Sequence, residues 1–264
     1  MLATMVVDSP EMIYELTSAF PTLQQAPITE ALIDIQVQLP PDVDLAQLRK
    51  FHTGLEEQYP QIDQRFNMSA TIQISPMAGP ELTKEGPTPD GWVMRSEKDA
   101  QIVQARLDGF TLNKLPPYIT WQSLSERARD LWQRYIDVAR PIKVTRLAAR
   151  YANRIELPWG VDFKDVIRTV PEIAPGIPQG LPEYFMRLVI PHPSGATAIV
   201  TMASLPAPPS GGTWPMLFDI DVFRFTDIAA TDASSIWSTL EELRAYKNMI
   251  FFNSIAPSQL EKYR

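Results

Sequence analysis

Residues 144–166 read VTRLAARYANRIELPWGVDFKDV, and this stretch decides the fold because its second part repeats an earlier part of the chain. Leu157-Pro158-Trp159-Gly160-Val161-Asp162-Phe163-Lys164-Asp165-Val166 carries the pattern of Leu39-Pro40-Pro41-Asp42-Val43-Asp44-Leu45-Ala46-Gln47-Leu48. Each runs from a strand end through Leu-Pro, two turn residues and Val-Asp into apolar residues three positions apart, as when a strand hands over to an amphipathic helix. The repeat predicts two copies of one unit: an N-terminal arm over 1–25, a first unit over 26–142 and a second over 143–264, fused into one domain.

Upstream, Ala31 to Leu39 alternates Ala31, Ile33, Ile35, Val37 and Leu39 with Asp34, Gln36 and Gln38, which predicts a strand with one face in a core. A helix is expected over Asp44 to Tyr59, capped by Asp44, with Leu45, Leu48, Leu55 and Tyr59 as its apolar stripe. Met68 to Ile74 reads as a strand, and Pro76 to Gly91 as a long loop because of its prolines and glycines. Trp92 to Glu97 and Ala100 to Leu107 read as a hairpin, and Phe110 to Leu115 as a further strand. Trp121 to Ala139 has helical spacing, with Thr120 as its cap and Pro141 beyond its end. Downstream, Thr145 to Leu157 is a strand, Asp162 to Val170 a short helix, and Pro171 to Pro182 a proline-rich loop. Strands over Tyr184 to Ile190, Thr197 to Ser204 and Met216 to Phe225 follow, with a second loop at Leu205 to Pro215 and a long helix capped by Asp232. A short helix is also expected near the N-terminus, from Ser9 to Phe20. The expected fold is α+β: a duplicated strand–helix–strands–helix unit making one antiparallel sheet with long helices on one face, similar in element order to TATA-binding-protein-like and helix-grip architectures.

The chain has 264 residues, 45% of them hydrophobic and 21% charged, the balance of a globular protein. A net charge of −7 and a pI near 5.0 give a field that repels phosphate backbones, which disfavours non-specific nucleic-acid or anionic-membrane binding. The absence of cysteine excludes disulfides, thiolate zinc sites and a cysteine nucleophile. Met1 to Phe20 holds no basic residue, so it lacks the start of a secretory signal, and a cytoplasmic location is expected.

Arg146, Arg150 and Arg154 share one strand face, about 13 Å from first to second at ~3.3 Å per residue, with Ala148 and Ala152 between them. Such a ladder can grip a phosphate, a nucleotide or an acidic peptide. The competing reading pairs these arginines with Asp34, Glu156, Asp219 or Asp221 on neighbouring strands. Asp219-Ile220-Asp221, downstream of Gly211-Gly212, echoes a Mg²⁺-binding Asp-x-Asp strand, and the same residues also fit simple in–out alternation. His52 and His192, the two histidines, have neither metal-ligand nor triad spacing. No cofactor or metal ligand set is expected. Trp214, Phe251 and Phe252 are the aromatic residues proposed for a partner or ligand contact, the last two in an apolar helical turn that fits either burial against the sheet or an interface with a partner or a second copy in a homo-oligomer.

At Pro27-Ile28-Thr29-Glu30-Ala31-Leu32-Ile33, at Arg146 and Arg150-Tyr151-Ala152-Asn153-Arg154-Ile155-Glu156, and at Phe252-Asn253-Ser254-Ile255, the chain resembles a sporadically distributed prokaryotic family of unknown function. Its members share a PI-EA-I-I start, an R-G-RY-NRI centre and an F--SI end, and Ala148-Ala149 here replaces the usual Leu-Gly. The resemblance spans Ala26 to Arg264 and implies no particular activity. A patchy distribution implies an accessory gene of a defence or toxin–antitoxin locus. The leading expectation is a non-enzymatic accessory protein that binds a partner protein. A nucleotide- or nucleic-acid-binding module using the arginine-lined face, and a Mg²⁺-dependent enzyme using Asp219 and Asp221, are the alternatives.

Overall fold

Ile28–Gln38 (β1) and Lys143–Pro158 (β8) lie side by side and antiparallel at the centre of the sheet in the computed structural model of the protein. It describes residues 20–67, 70–75, 79–84, 86–158, 160–178, 183–206 and 212–264, with backbone alone for 70–75 and 79–84. The remaining elements are α1 (Leu45–Arg49), β2 (Gln61–Asn67), β3 (Ala70–Ser75), β4 (Gly79–Lys84), β5 (Thr88–Ser96), β6 (Gln101–Arg106), β7 (Gly109–Lys114), α2 (Trp121–Ala139), β9 (Phe185–Pro191), β10 (Thr197–Ser204), β11 (Thr213–Ala229), α3 (Ala233–Ser254) and α4 (Pro257–Leu260). Nine strands form one sheet in the order β2-β5-β6-β7-β1-β8-β11-β10-β9. Counted outward from the centre, each half runs first strand, last strand, then the preceding two, and β2 is added at one edge. The class is α+β, as the element pattern predicts.

Register sorts the side chains. Ile33 faces Ala149 and Ile35 faces Leu147 across the central pair, and Ile220 faces Tyr151 on the other side of β8. These residues are at most 1% exposed and point to the face covered by α2 and α3. Phe110 on β7 meets Phe51, Trp132 and Tyr135 at ring separations of 6.1–6.3 Å, and Phe218 on β11 meets Phe251 of α3 at 6.1 Å. The helices start where the sequence places their caps. Thr120 and Asp232 accept hydrogen bonds from the amides of Ser123 (3.1 Å) and Ser235 (3.0 Å), filling orphan donors of the first turn. No described helix is long and apolar enough to cross a membrane.

Three expectations are corrected. The helix expected over Asp44 to Tyr59 is only α1 and one 3₁₀ turn at Lys50–His52, because Gly54, at φ +79°, reverses the chain. Leu55 and Tyr59 still reach the core from that turn. The helix expected over Asp162 to Val170 is a single 3₁₀ turn at Phe163–Asp165. Its following backbone is bound to the end of α3 through Arg168 N–H to Ser254 O (2.7 Å) and Ala256 N–H to Val166 O (2.9 Å), which leaves no partners for a longer helix. The loop expected over Pro76 to Gly91 contains β4 and the start of β5. Pro80 is tolerated because β3 and β4 form a separate two-stranded sheet in which both strands are edges. The expected N-terminal helix and residues Trp159 and Gly211 lie outside the described residues.

Gly109, at φ +154°, is the point of closest approach in the sheet: a Cβ there would sit 2.2 Å from the Ile35 carbonyl oxygen. Gly109→Ala should therefore cost about 1–3 kcal/mol in urea denaturation, while Gly86→Ala, with no atom within 4 Å of the added carbon, should leave the midpoint unchanged. Equal midpoints for the two variants would contradict the β1–β7 register.

Candidate functional site

The open face of the sheet carries the even-numbered residues of β8, and its arginines are paired. Arg146 donates to Asp34 (3.1 Å) and Asp221 (3.3 Å), and its guanidinium lies 4.5 Å from the Phe223 ring centroid. Arg106, missed by the sequence reading, joins the same network through Asp34 (2.8 Å) and Asp108 (2.8 Å). Burial opposes the charge on Arg106, but Asp34 and Asp108 outweigh it and raise its pKa. Arg150 forms a two-point fork on Asp219, at 2.9 Å from Nε to Oδ1 and 2.9 Å from a terminal nitrogen to Oδ2. Arg154 bonds Glu156 at 2.7 Å, and Glu156 also accepts from Thr213 (2.6 Å). Asp219 and Asp221 are thus each engaged by an arginine, although burial raises the Asp221 pKa against the pull of Arg146 and Arg150. Among the described residues no group of three His, Cys, Asp or Glu side chains is placed to hold a metal. Trp214 pairs with Leu157 across β11 and β8 and packs half-buried against the core.

The covered face holds a cavity of about 610 Å³, in the size range of small-molecule sites. It lies among residues 20–28, the start of α2, β8 and the second half of α3. Tyr151 and Asn153 reach it because the odd residues of β8 face the helices. Phe251 and Phe252 are both wall residues: Phe251 is 5% exposed against Phe218, and Phe252 stacks on Phe20 at 4.8 Å and 3°.

Lys247 of α3 enters this cavity while only 9% exposed. Its ammonium lies 3.9 Å from the Tyr151 ring centroid, and among the described residues no carboxylate or carbonyl pairs with it. The acids that line the cavity, Glu126 and Glu241, are already used. Glu241 accepts from the Trp121 indole (2.5 Å) and Arg244 (3.3 Å), and Glu126 accepts from Gln122 (2.9 Å). Burial, with the charge of Arg244 adding to it, lowers the Lys247 amine to about 7. Arg129, also in the wall, lies over the Trp237 ring at 4.3 Å. Tyr118 and Tyr151 place their hydroxyls 3.3 Å apart at the cavity, and burial raises both pKa values, so both remain protonated.

Chemically, the cavity offers apolar aromatic walls, an amine without a counter-charge and a second cation in Arg244. That set suits an anion with an apolar body. No known family model matches the chain, and no curated protein is significantly similar to it. Function is therefore read from geometry. The sequence reading missed Lys247, and the signal was there: Ile236, Leu240 and Leu243 form the apolar stripe of α3, and Lys247 occupies its next position.

Two predictions follow from the contrast between paired and unpaired charges. Arg146→Ala, which strips a buried partner from Asp221, should cost about 3 kcal/mol of unfolding free energy, and Arg154→Ala, at an exposed pair, less than about 1 kcal/mol. Lys247→Met should instead stabilise the protein by about 1–4 kcal/mol at pH 7, because it removes the cost of taking an unpaired amine out of water. The unfolded chain keeps the lysine proton to its ordinary range, whereas the folded one releases it near 7. Wild-type stability should therefore rise with pH from about 7 to about 10, a slope that Lys247→Met removes. A destabilised Lys247→Met protein would show that the amine has a partner.

Proposed function

We propose that the protein is a binding module that takes a small anionic molecule with an apolar or aromatic body into the cavity between the sheet and α3. The observation that carries this reading is Lys247, a buried amine without a counter-charge. An isolated buried cation is costly, and an anionic ligand beside Lys247 and Arg244 offsets that cost. The two stacked phenylalanines, Phe20 and Phe252, and the ring of Tyr151 supply the apolar contact. The segments that carry the family resemblance also meet here, through Pro27, Ile28, Tyr151, Asn153 and Phe252. Arg150 and Arg154 serve the sheet in this reading, Arg150 as the cross-strand partner of Asp219 and Arg154 as the partner of Glu156 on its own strand.

A second reading, docking of a partner protein by an accessory factor of a defence or toxin–antitoxin locus, is favoured by one observation. Phe185 (70% exposed), Val189 (57%) and Phe225 (74%) stand on the open face of the β9–β11 half. The amine in the cavity has no role in that reading.

The test uses 8-anilinonaphthalene-1-sulfonate, an aromatic anion whose fluorescence rises on leaving water. Wild-type protein should bind it saturably, and Lys247→Met should weaken binding about 10- to 100-fold, the worth of one charge-assisted hydrogen bond. Wild-type affinity should fall as pH rises above about 7, where the free amine loses its charge. Near-ultraviolet circular dichroism monitors the fold of both. Binding that is indifferent to Lys247 and to pH would overturn the assignment.

A further inference from the structure

Resting on the reading of the cavity as an anion-binding site, we propose that Lys247 captures carbonyl-bearing ligands, aldehydes or ketones that also carry a carboxylate, as a reversible Schiff base. Three features of the site converge on this chemistry. The first is placement: Lys247 lines a roughly 610 Å³ cavity while 9% exposed, its Nζ lies 3.9 Å from the ring centroid of Tyr151 in the same wall, and no salt bridge holds it among the described residues. The second is the neighbouring cation, Arg244, one turn earlier on the same helix face and lining the same cavity. Desolvation and an adjacent cation are the two means by which a lysine amine is held as the free base, the form that attacks a carbonyl. Arg244, which cannot itself deprotonate, holds Glu241 through one terminal nitrogen (3.3 Å) and offers its remaining guanidinium donors to the ligand carboxylate.

The third feature is the Tyr118–Tyr151 pair. One hydroxyl donates to the other across 3.3 Å, and the second keeps its own proton at the cavity wall. In the capture step the Nζ lone pair forms a bond to the carbonyl carbon and the carbonyl π electrons move to oxygen, which gains a proton as nitrogen loses one. The carbinolamine then expels its hydroxyl as water, leaving C=N. Amine and carbonyl compound give imine and one water, with no oxidant or reductant. The titratable groups that line the cavity with Lys247 are Arg244 and Glu241 from α3, Tyr151 from β8, Tyr118 ahead of α2, and Glu126 and Arg129 from α2. Arg244 is the cation that acts on its charge, and both acids are engaged elsewhere.

The test incubates the full-length protein at pH 7 with 4-formylbenzoate and sodium cyanoborohydride, which reduces an imine to a stable secondary amine, and maps the added mass by peptide mass spectrometry. Lys247 should be labelled about tenfold or more faster than exposed lysines such as Lys164, with benzoate slowing the labelling by competition. Lys247→Arg, which keeps the charge but forms no imine, should bind the naphthalene sulfonate and gain no label at position 247. Label confined to exposed lysines while the sulfonate still binds would overturn covalent capture and leave the binding reading intact. Loss of both signals would overturn the two together.

Discussion

The antiparallel pairing of β1 with β8 sets everything else in the molecule. Side chains alternate along a strand, so the registers Ile33 to Ala149 and Ile220 to Tyr151 fix which residues of β8 meet the helices. A slip of one residue would send Arg150 into the core and Tyr151 into solvent. With the observed register, Arg146, Arg150 and Arg154 stand on the open face, while Tyr151 and Asn153 reach the cavity. One strand therefore supplies both a structural ion network and a wall of the binding site.

The two faces treat charge in opposite ways. On the open face Arg106, Arg146, Arg150 and Arg154 each meet a carboxylate, and Arg106, Asp34, Arg146 and Asp221 form a chain across four strands. Charge is compensated there, and the network ties the halves of the sheet together. Under α3 the reverse holds: a cation is buried against an aromatic ring, with the nearby acids committed to Trp121, Arg244 and Gln122. Stability alone gives no reason for Lys247, since an apolar residue would continue the stripe of α3. A destabilising group held at a cavity wall is what a binding site at the expense of stability looks like.

Much of the architecture was legible in the sequence. The Leu-Pro and Val-Asp repeat, the alternation in Ala31 to Leu39, and the caps at Thr120 and Asp232 are local signals, and local physics answers them. Of the two misjudged helices, the one expected from Asp44 is ended by a local residue, Gly54, while the one expected from Asp162 is decided by distant contacts: the end of α3 takes up the backbone after Phe163–Asp165, and no nearby residue announces it. Proline content misread β4, because a two-stranded edge tolerates what a central strand does not. The arginines drew notice as a ladder, yet their partners Asp34, Asp219 and Asp221 become adjacent only once the strand order is known. Lys247 went unnoticed, since its one local signal is a break in the apolar spacing of α3, and its lack of a counter-charge is a property of the assembled cavity.

The most direct measurement is an NMR titration of the Lys247 ε-methylene in protein labelled with ¹³C-lysine, with assignment by Lys247→Arg. An amine buried without a counter-charge predicts a midpoint near 7, rising when an aromatic carboxylate is added. A midpoint in the ordinary lysine range, about 10.4, unmoved by the carboxylate, would contradict it.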